Sequence, residues 1–214
     1  MKGFIFDLDG TLSDTIPLIV TTARRAYADL GIAVSDEQIK GHIGVPLVET
    51  GEHFLGPGRG EEYLAAYMRH YYDDDFKLAA FAGVAELLSE LKRRGAKLAV
   101  ATAKRRQAAR QSIAAIGVEH LLDAVVDCES TERHKPCADP ALFAAKQLAL
   151  PPASCMFIGD SCHDLLAGHA AGMTVCGVTW GAGRREELLT AEPEYLVDSV
   201  AELAQLLLSL AEPA

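Results

Sequence analysis

The sequence predicts an α/β fold: a Rossmann-like open parallel sheet core with helices on both faces, plus an inserted α-helical domain. Three observations carry this reading. Short apolar runs alternate with longer helical patterns along the chain. The runs are apolar on successive positions, as in parallel strands covered on both faces. About ninety residues separate the first run from the second, far more than the dozen or so a crossover requires.

Taken in order, the predicted strands are Gly3–Phe6, Lys97–Ala101, Ala124–Val126, Cys155–Ile158, Thr174–Val178 and Tyr195–Val197. After the first, Ile19, Ala23, Ala26 and Leu30 keep helical spacing, Gly56-Pro57-Gly58 marks a turn, and Glu61–Tyr72 reads as another helix. Residues 15–81 are therefore expected to form a small inserted helical domain, with 1–14 and 82–214 forming the core. The acidic run Asp73-Asp74-Asp75 reads as a solvated helix end. Val84, Leu87, Leu88 and Leu91 form one helical stripe, with Gly95 just past its end. Ala109, Ile113 and Ile116 form another, closed by Gly117. Asp139-Pro140 reads as an N-cap followed by proline at the first helical position.

The chain has 214 residues, with 30 Asp+Glu against 20 Lys+Arg, a net charge of −10. Such a balance argues against nucleic acid as a partner, because binding phosphate backbones rests on Lys and Arg displacing counterions. No apolar run is long enough for a membrane span, and the acidic start does not resemble a signal peptide. Five scattered cysteines without a Cys-x-x-Cys pair predict free thiols in a reducing cytoplasm.

Ligands of open α/β sheets bind beyond the carboxyl ends of the strands. Asp7-Leu8-Asp9-Gly10-Thr11-Leu12 follows the first strand and Thr102 the second; Lys135-Pro136 comes a loop after the third, and Gly159-Asp160-Ser161-Cys162-His163-Asp164 closes the fourth. Several of these have bland alternatives: Asp164 and Thr102 also read as helix caps, and Lys135 as a surface lysine. Asp7 and Asp9 do not. Two like charges so close raise each other's energy unless a cation or proton intervenes, so folding alone gives no reason for the pair.

Chemistry does. Asp7, Asp9 and Asp160 are hard oxygen ligands without a thiol or imidazole cluster nearby, the set that suits Mg²⁺ completed by water and a substrate phosphate. An aspartate carboxylate can also attack phosphorus to form an aspartyl phosphate. Without the divalent ion and Lys135, an incoming phosphate dianion would be repelled by about 4 kcal/mol per charge pair at ~4 Å. The Thr102 hydroxyl and backbone amides after Asp7 are candidates for the remaining phosphoryl oxygens.

Asp7–Leu12, Thr102, Lys135-Pro136 and Gly159-Asp160-Ser161-x-x-Asp164 resemble the four motifs of the haloacid-dehalogenase-like phosphohydrolase superfamily, in the family's order. Ala170-Ala171-Gly172-Met173 and Val178-Thr179-Trp180-Gly181 resemble later segments of its phosphoglycolate-phosphatase-like members, whose helical cap falls where residues 15–81 lie. The resemblance implies that Asp7 is the nucleophile and Asp9 the acid and base, and that Asp7, Asp160 and the Asp9 carbonyl bind Mg²⁺. It further implies that Thr102 and Lys135 hold the phosphoryl group while Asp164 positions Lys135 or the metal shell. Asp9 favours phosphoryl transfer over dehalogenation, since dehalogenating members lack that second acid. Ala82, Ala103 and Ala138 depart from residues common in relatives, but none removes a reacting group.

The expected activity is Mg²⁺-dependent hydrolysis of a small phosphorylated metabolite, phosphoglycolate among the candidates. A sugar-phosphate mutase and a phospho-accepting signalling module are the alternatives; Thr11 argues against the first, and the cap and Asp9 against the second. Within the cap, Gly41-His42-Ile43-Gly44-Val45-Pro46 is the expected substrate loop, making His42 and Gly44 specificity candidates. Lys40, Arg59, Lys104 and Arg105 are further candidates to face the substrate, each equally readable as a solvated or helix-start residue. Oligomeric state is not legible.

Overall fold

A computed structural model describes residues 1–73 and 78–211. Its centre is a six-stranded, wholly parallel sheet in the order β3-β2-β1-β4-β5-β6. The strands are β1 (Gly3–Phe6), β2 (Lys97–Ala101), β3 (Ala124–Val126), β4 (Cys155–Gly159), β5 (Thr174–Val178) and β6 (Tyr195–Val197). These match the predicted runs, β4 extending one residue further.

Side chains alternate across a strand, so each run supplies both faces. Phe4, Phe6, Leu98, Val100, Met156 and Ile158 join one apolar cluster with α5 (Val84–Arg93), α6 (Arg106–Ala115) and α10 (Val200–Leu210). Ile5, Ala99, Ala101 and Phe157 face the other cluster, with α7 (Asp139–Gln147), α8 (Cys162–Ala170) and α9 (Arg185–Thr190). Two buried faces explain why the central runs are apolar on successive positions.

Between β1 and β2 lie α1 (Ile16–Asp29), α2 (Asp36–Lys40), α3 (Leu47–Leu55) and α4 (Gly60–Asp73). They bury a separate apolar cluster built on Ile16, Val20, Tyr27, Ile39, Tyr63 and Tyr67. The chains entering and leaving this segment run side by side: Asp14 N–H donates to Ala79 O at 2.9 Å, and Phe81 N–H to Leu12 O at 3.1 Å. Asp74 and Asp75 of the acidic run lie outside the described residues.

Gly95 and Gly117 both follow helix ends with positive φ, as expected. The start of α7 differs from expectation. Ala138 is its N-cap and already has helical angles, so Asp139 is the first helical residue and Pro140 the second. Asp139 instead takes a hydrogen bond from Arg133 Nε at 3.1 Å, an interaction between residues six apart that no cap pattern announces. The five cysteines are free thiols. Among the described residues, no helix is long and apolar enough to cross a membrane.

Candidate active site

Parallel strands end on the same rim, so residues just past β1, β2 and β4 are neighbours in space. Asp7 follows β1, in line with Thr102 beyond β2 and Asp160 beyond β4, and all three are buried. Lys135 arrives from the loop after β3. Its Nζ donates to Asp7 Oδ1 and to Asp164 Oδ1, both at 2.6 Å, and to the Ala101 carbonyl at 3.2 Å. At 4 % exposure this lysine is a structural part of the site and not a surface residue.

Asp164 is held in turn by α8. Ser161 is the N-cap of that helix and Asp164 its third residue, forming a reciprocal capping box. Asp164 Oδ2 accepts from Ser161 N–H at 3.1 Å and Ser161 O–H at 2.6 Å, which leaves Oδ1 aimed at Lys135. Asp164 thus serves the capping box with one oxygen and meets Lys135 with the other, while the N-cap itself is Ser161.

Asp160 accepts from Thr11 Oγ1 at 3.2 Å and from Ala182 N–H at 2.6 Å. The chain folds this tightly around it only because two neighbours lack side chains. Gly10, at φ 80°, and Gly181 would each drive a methyl group into the Asp160 carboxylate.

Carboxylate oxygens of Asp7, Asp160 and Asp164 lie within 4.8 Å of one another. Burial pushes the Asp7 carboxyl up to about 7, although Lys135 beside it pulls downward. Asp160 is pushed well above the usual carboxylate range, first by burial and then by Asp7 and Asp164. Lys135 is raised instead: burial opposes its charge, but Asp164 and Asp7 together outweigh that. Three acids facing one ammonium leave an excess of negative charge, and oxygen donors so close and so poorly solvated suit a small hard dication. The residues present thus fit Mg²⁺.

Asp9 does not join this carboxylate group through its side chain. Its Oδ1 accepts from Thr15 Oγ1 at 2.5 Å and Lys104 Nζ at 2.7 Å. The expected convergence of Asp7, Asp9 and Asp160 is corrected to that extent: the third clustered carboxylate is Asp164. The reason is that β1 ends at Phe6 and the chain turns at Gly10, so the two-residue alternation of a strand, which would put positions 7 and 9 on one face, no longer applies. Thr15 and Lys104 were the less legible partners. Lys104 stands ahead of α6, whose first residue is Arg106, and its proximity to Thr102 was the only hint. Thr102 does not cap that helix; its Oγ1 accepts from Lys104 N–H at 3.2 Å. Asp127, at the end of β3, is also buried, but it is occupied by Arg106 Nε at 2.9 Å and Ser130 Oγ at 2.9 Å and holds the loop leading to Lys135.

The helical segment meets this rim. His42 and Gly44 border a cavity of about 80 Å³ that also touches Asp9 and Lys104. Gly44 reaches the core beside Ser161, with φ 96°. His42 Nδ1 lies 3.0 Å from the Gln38 carbonyl, and its ring packs on His53 and Phe54. Two of the other candidates are elsewhere: Arg59 is paired with Glu62 at 2.7 Å, and Lys40 lines a separate groove beside Asp36 and Glu37.

The family model of haloacid dehalogenase-like hydrolases matches residues 4–178, a span containing Asp7–Leu12, Thr102, Lys135-Pro136 and Gly159–Asp164. The chain belongs to that family. It is a hydrolase by membership, with the α/β fold expected of it. It is 35 % identical over 213 residues to the plasmid phosphoglycolate phosphatase of Cupriavidus necator, covering 95 % of this chain and 91 % of that one. It is 29 % identical over 212 residues to the pyrophosphatase PpaX of Anoxybacillus flavithermus, covering 97 % of each. Among solved structures, a hydrolase from Pseudomonas syringae superposes with a TM-score of 0.90 at 25 % identity, over 99 % of this chain and 100 % of that one.

Proposed function

We propose that this haloacid dehalogenase-like hydrolase is a Mg²⁺-dependent phosphatase acting on small phosphate monoesters through an aspartyl phosphate on Asp7. The observation that carries the reading is the Lys135 ammonium bridging Asp7 and Asp164 at 2.6 Å each beside buried Asp160. No packing need explains so much buried charge in one place.

In this reading Asp7, Asp160 and the Asp9 carbonyl hold Mg²⁺, which when bound supplies the positive charge that lets two buried carboxylates and a phosphate share the site. Asp7 Oδ bonds to phosphorus as the bond from phosphorus to the ester oxygen breaks. Asp9 delivers a proton to that departing oxygen, then takes one from the water that splits the acyl phosphate. The net change is one ester and one water to one alcohol and one inorganic phosphate, with Asp7 and Asp9 restored. Lys135 and the Thr102 hydroxyl hold phosphoryl oxygens, and Asp164 fixes where the Lys135 ammonium sits.

Residues 15–81 act as a cap, closing over the rim, excluding water and contacting the leaving group, with His42 and Gly44 in its substrate loop. The names of two relatives put phosphoglycolate and pyrophosphate first among compounds to try. The test is a Mg²⁺-dependent phosphate-release screen over phosphoglycolate, pyrophosphate, sugar phosphates and simple alkyl phosphates, beside Asp7→Asn. Release that needs both Mg²⁺ and Asp7 is expected; release that survives Asp7→Asn would contradict the assignment.

A further inference from the structure

A cavity lies between the helical segment and the rim. It opens beside Asp9, the proposed proton donor, and its wall is dominated by Ile19, Tyr27, Ile43, Leu47, Tyr67 and Met68. Tyr27, Ile43 and Tyr67 are buried within the segment's own apolar cluster, with Tyr27 stacked on Tyr63 at 4.5 Å. Such a surface gains by excluding water from apolar groups and offers little to a charged one.

The cations at this wall are already committed. Lys104 is paired with Asp9 at 2.7 Å, and Arg105 with Glu129 at 2.9 Å. A carboxylate or a second phosphate entering the cavity would have to compete with Asp9 and Glu129 for the two lysine and arginine side chains on its wall. The hydrogen bonds on offer are neutral ones: Thr50 and Tyr27 are buried on the wall with hydroxyls that have no partner among the described residues, and the His42 ring borders it with Nδ1 held by the Gln38 carbonyl.

Size narrows the class further. The space is about 80 Å³. An apolar cavity of about 150 Å³ admits benzene, so this one matches a chain of roughly three or four carbons, not a sugar ring or a nucleoside.

We propose that the preferred substrates are phosphate monoesters of compact, uncharged, mainly aliphatic alcohols, whose carbon chain occupies this cavity while the ester oxygen faces Asp9. This deepens the phosphatase reading and rests on it. A single added methylene in a fitted apolar pocket changes specificity by roughly ten-fold or more.

The experiment measures kcat/KM with Mg²⁺ for methyl, ethyl, propyl and butyl phosphate against phosphoglycolate and pyrophosphate, with acetyl phosphate as an activated reference and Asp7→Asn as the blank. Values are expected to climb roughly ten-fold per carbon as far as propyl, with phosphoglycolate at least ten-fold below propyl phosphate. In Met68→Lys, where an unbranched side chain of similar length carries a cation to the wall, the ratio of phosphoglycolate to propyl phosphate should rise roughly ten-fold. A flat alkyl series, or preference for phosphoglycolate or pyrophosphate in the wild type, overturns this proposal and leaves the phosphatase reading standing. An unchanged ratio in a folded Met68→Lys protein overturns it too. Absence of Asp7-dependent turnover on every compound, acetyl phosphate included, overturns both.

Discussion

Lys104 Nζ lies 2.7 Å from Asp9 Oδ1, a contact between residues 95 positions apart whose side chains are only 10 % and 11 % exposed. Burial disfavours the Lys104 charge, yet Asp9, with Tyr71 and Asp7, more than offsets that and holds the ammonium above its ordinary value. The pair ties the turn after β1 to the turn after β2, with Thr15 on the same oxygen at 2.5 Å. The residue proposed to move protons is thus anchored from both sides.

Removing that anchor should be costly. Lys104→Met leaves a buried carboxylate with one donor fewer, and an expected loss of about 3 kcal/mol in urea unfolding follows from stranding one member of a buried ion pair. Combining it with Asp9→Asn should recover much of the loss, because the stranded charge is gone. Simple additivity of the two changes would mean that the contact carries no coupling.

Asp7→Asn is expected to abolish phosphate release, a drop of at least about 10⁴-fold, while far-ultraviolet circular dichroism stays unchanged. The amide removes the nucleophile but keeps the shape of a buried side chain. Retained activity would assign the nucleophile elsewhere.

Metal-free stability should depend on pH in a definite sense. Asp7 rises from 3.8 in the unfolded chain to about 7 in the fold, so between those values the native state holds a proton that the unfolded state has lost. Its contribution therefore falls as pH increases through that window. Melting temperature without divalent ions should decline from pH 5 to pH 7, less steeply in Asp7→Asn. Mg²⁺, which needs the ionised carboxylates, should stabilise more at pH 7.5 than at pH 5.5. Equal effects at both values would argue against carboxylate ligation.

Asp164→Asn separates the two jobs of that side chain. Its amide oxygen can still accept at the N-terminus of α8, so stability should change by no more than about 1 kcal/mol. Lys135, however, loses one of its two charged partners at 2.6 Å. If Asp164 positions Lys135 for the phosphoryl group, kcat/KM should fall by about ten- to a hundred-fold. A matching fall in stability with unchanged kcat/KM would reduce Asp164 to a cap partner.

Much of this is legible in the amino-acid sequence. Six strands, the helix ends at Gly95 and Gly117, and the arrival of Asp7, Thr102 and Asp160 at one rim follow from local patterns, because strand and helix periodicities and a parallel sheet's common polarity are properties of consecutive residues. Partnerships are another matter. That Lys104 answers Asp9, that Lys135 reaches Asp7 as well as the expected Asp164, and that Asp139 turns to Arg133 in place of capping α7 depend on loop paths and side-chain directions fixed by packing over long stretches of chain. The amino-acid order by itself determined which groups stand at the rim. Only the tertiary structure decided which of them touch and that the adjoining cavity is lined with tyrosine and aliphatic side chains instead of free cations, since a distance between remote residues is set by the whole fold and by no segment of it.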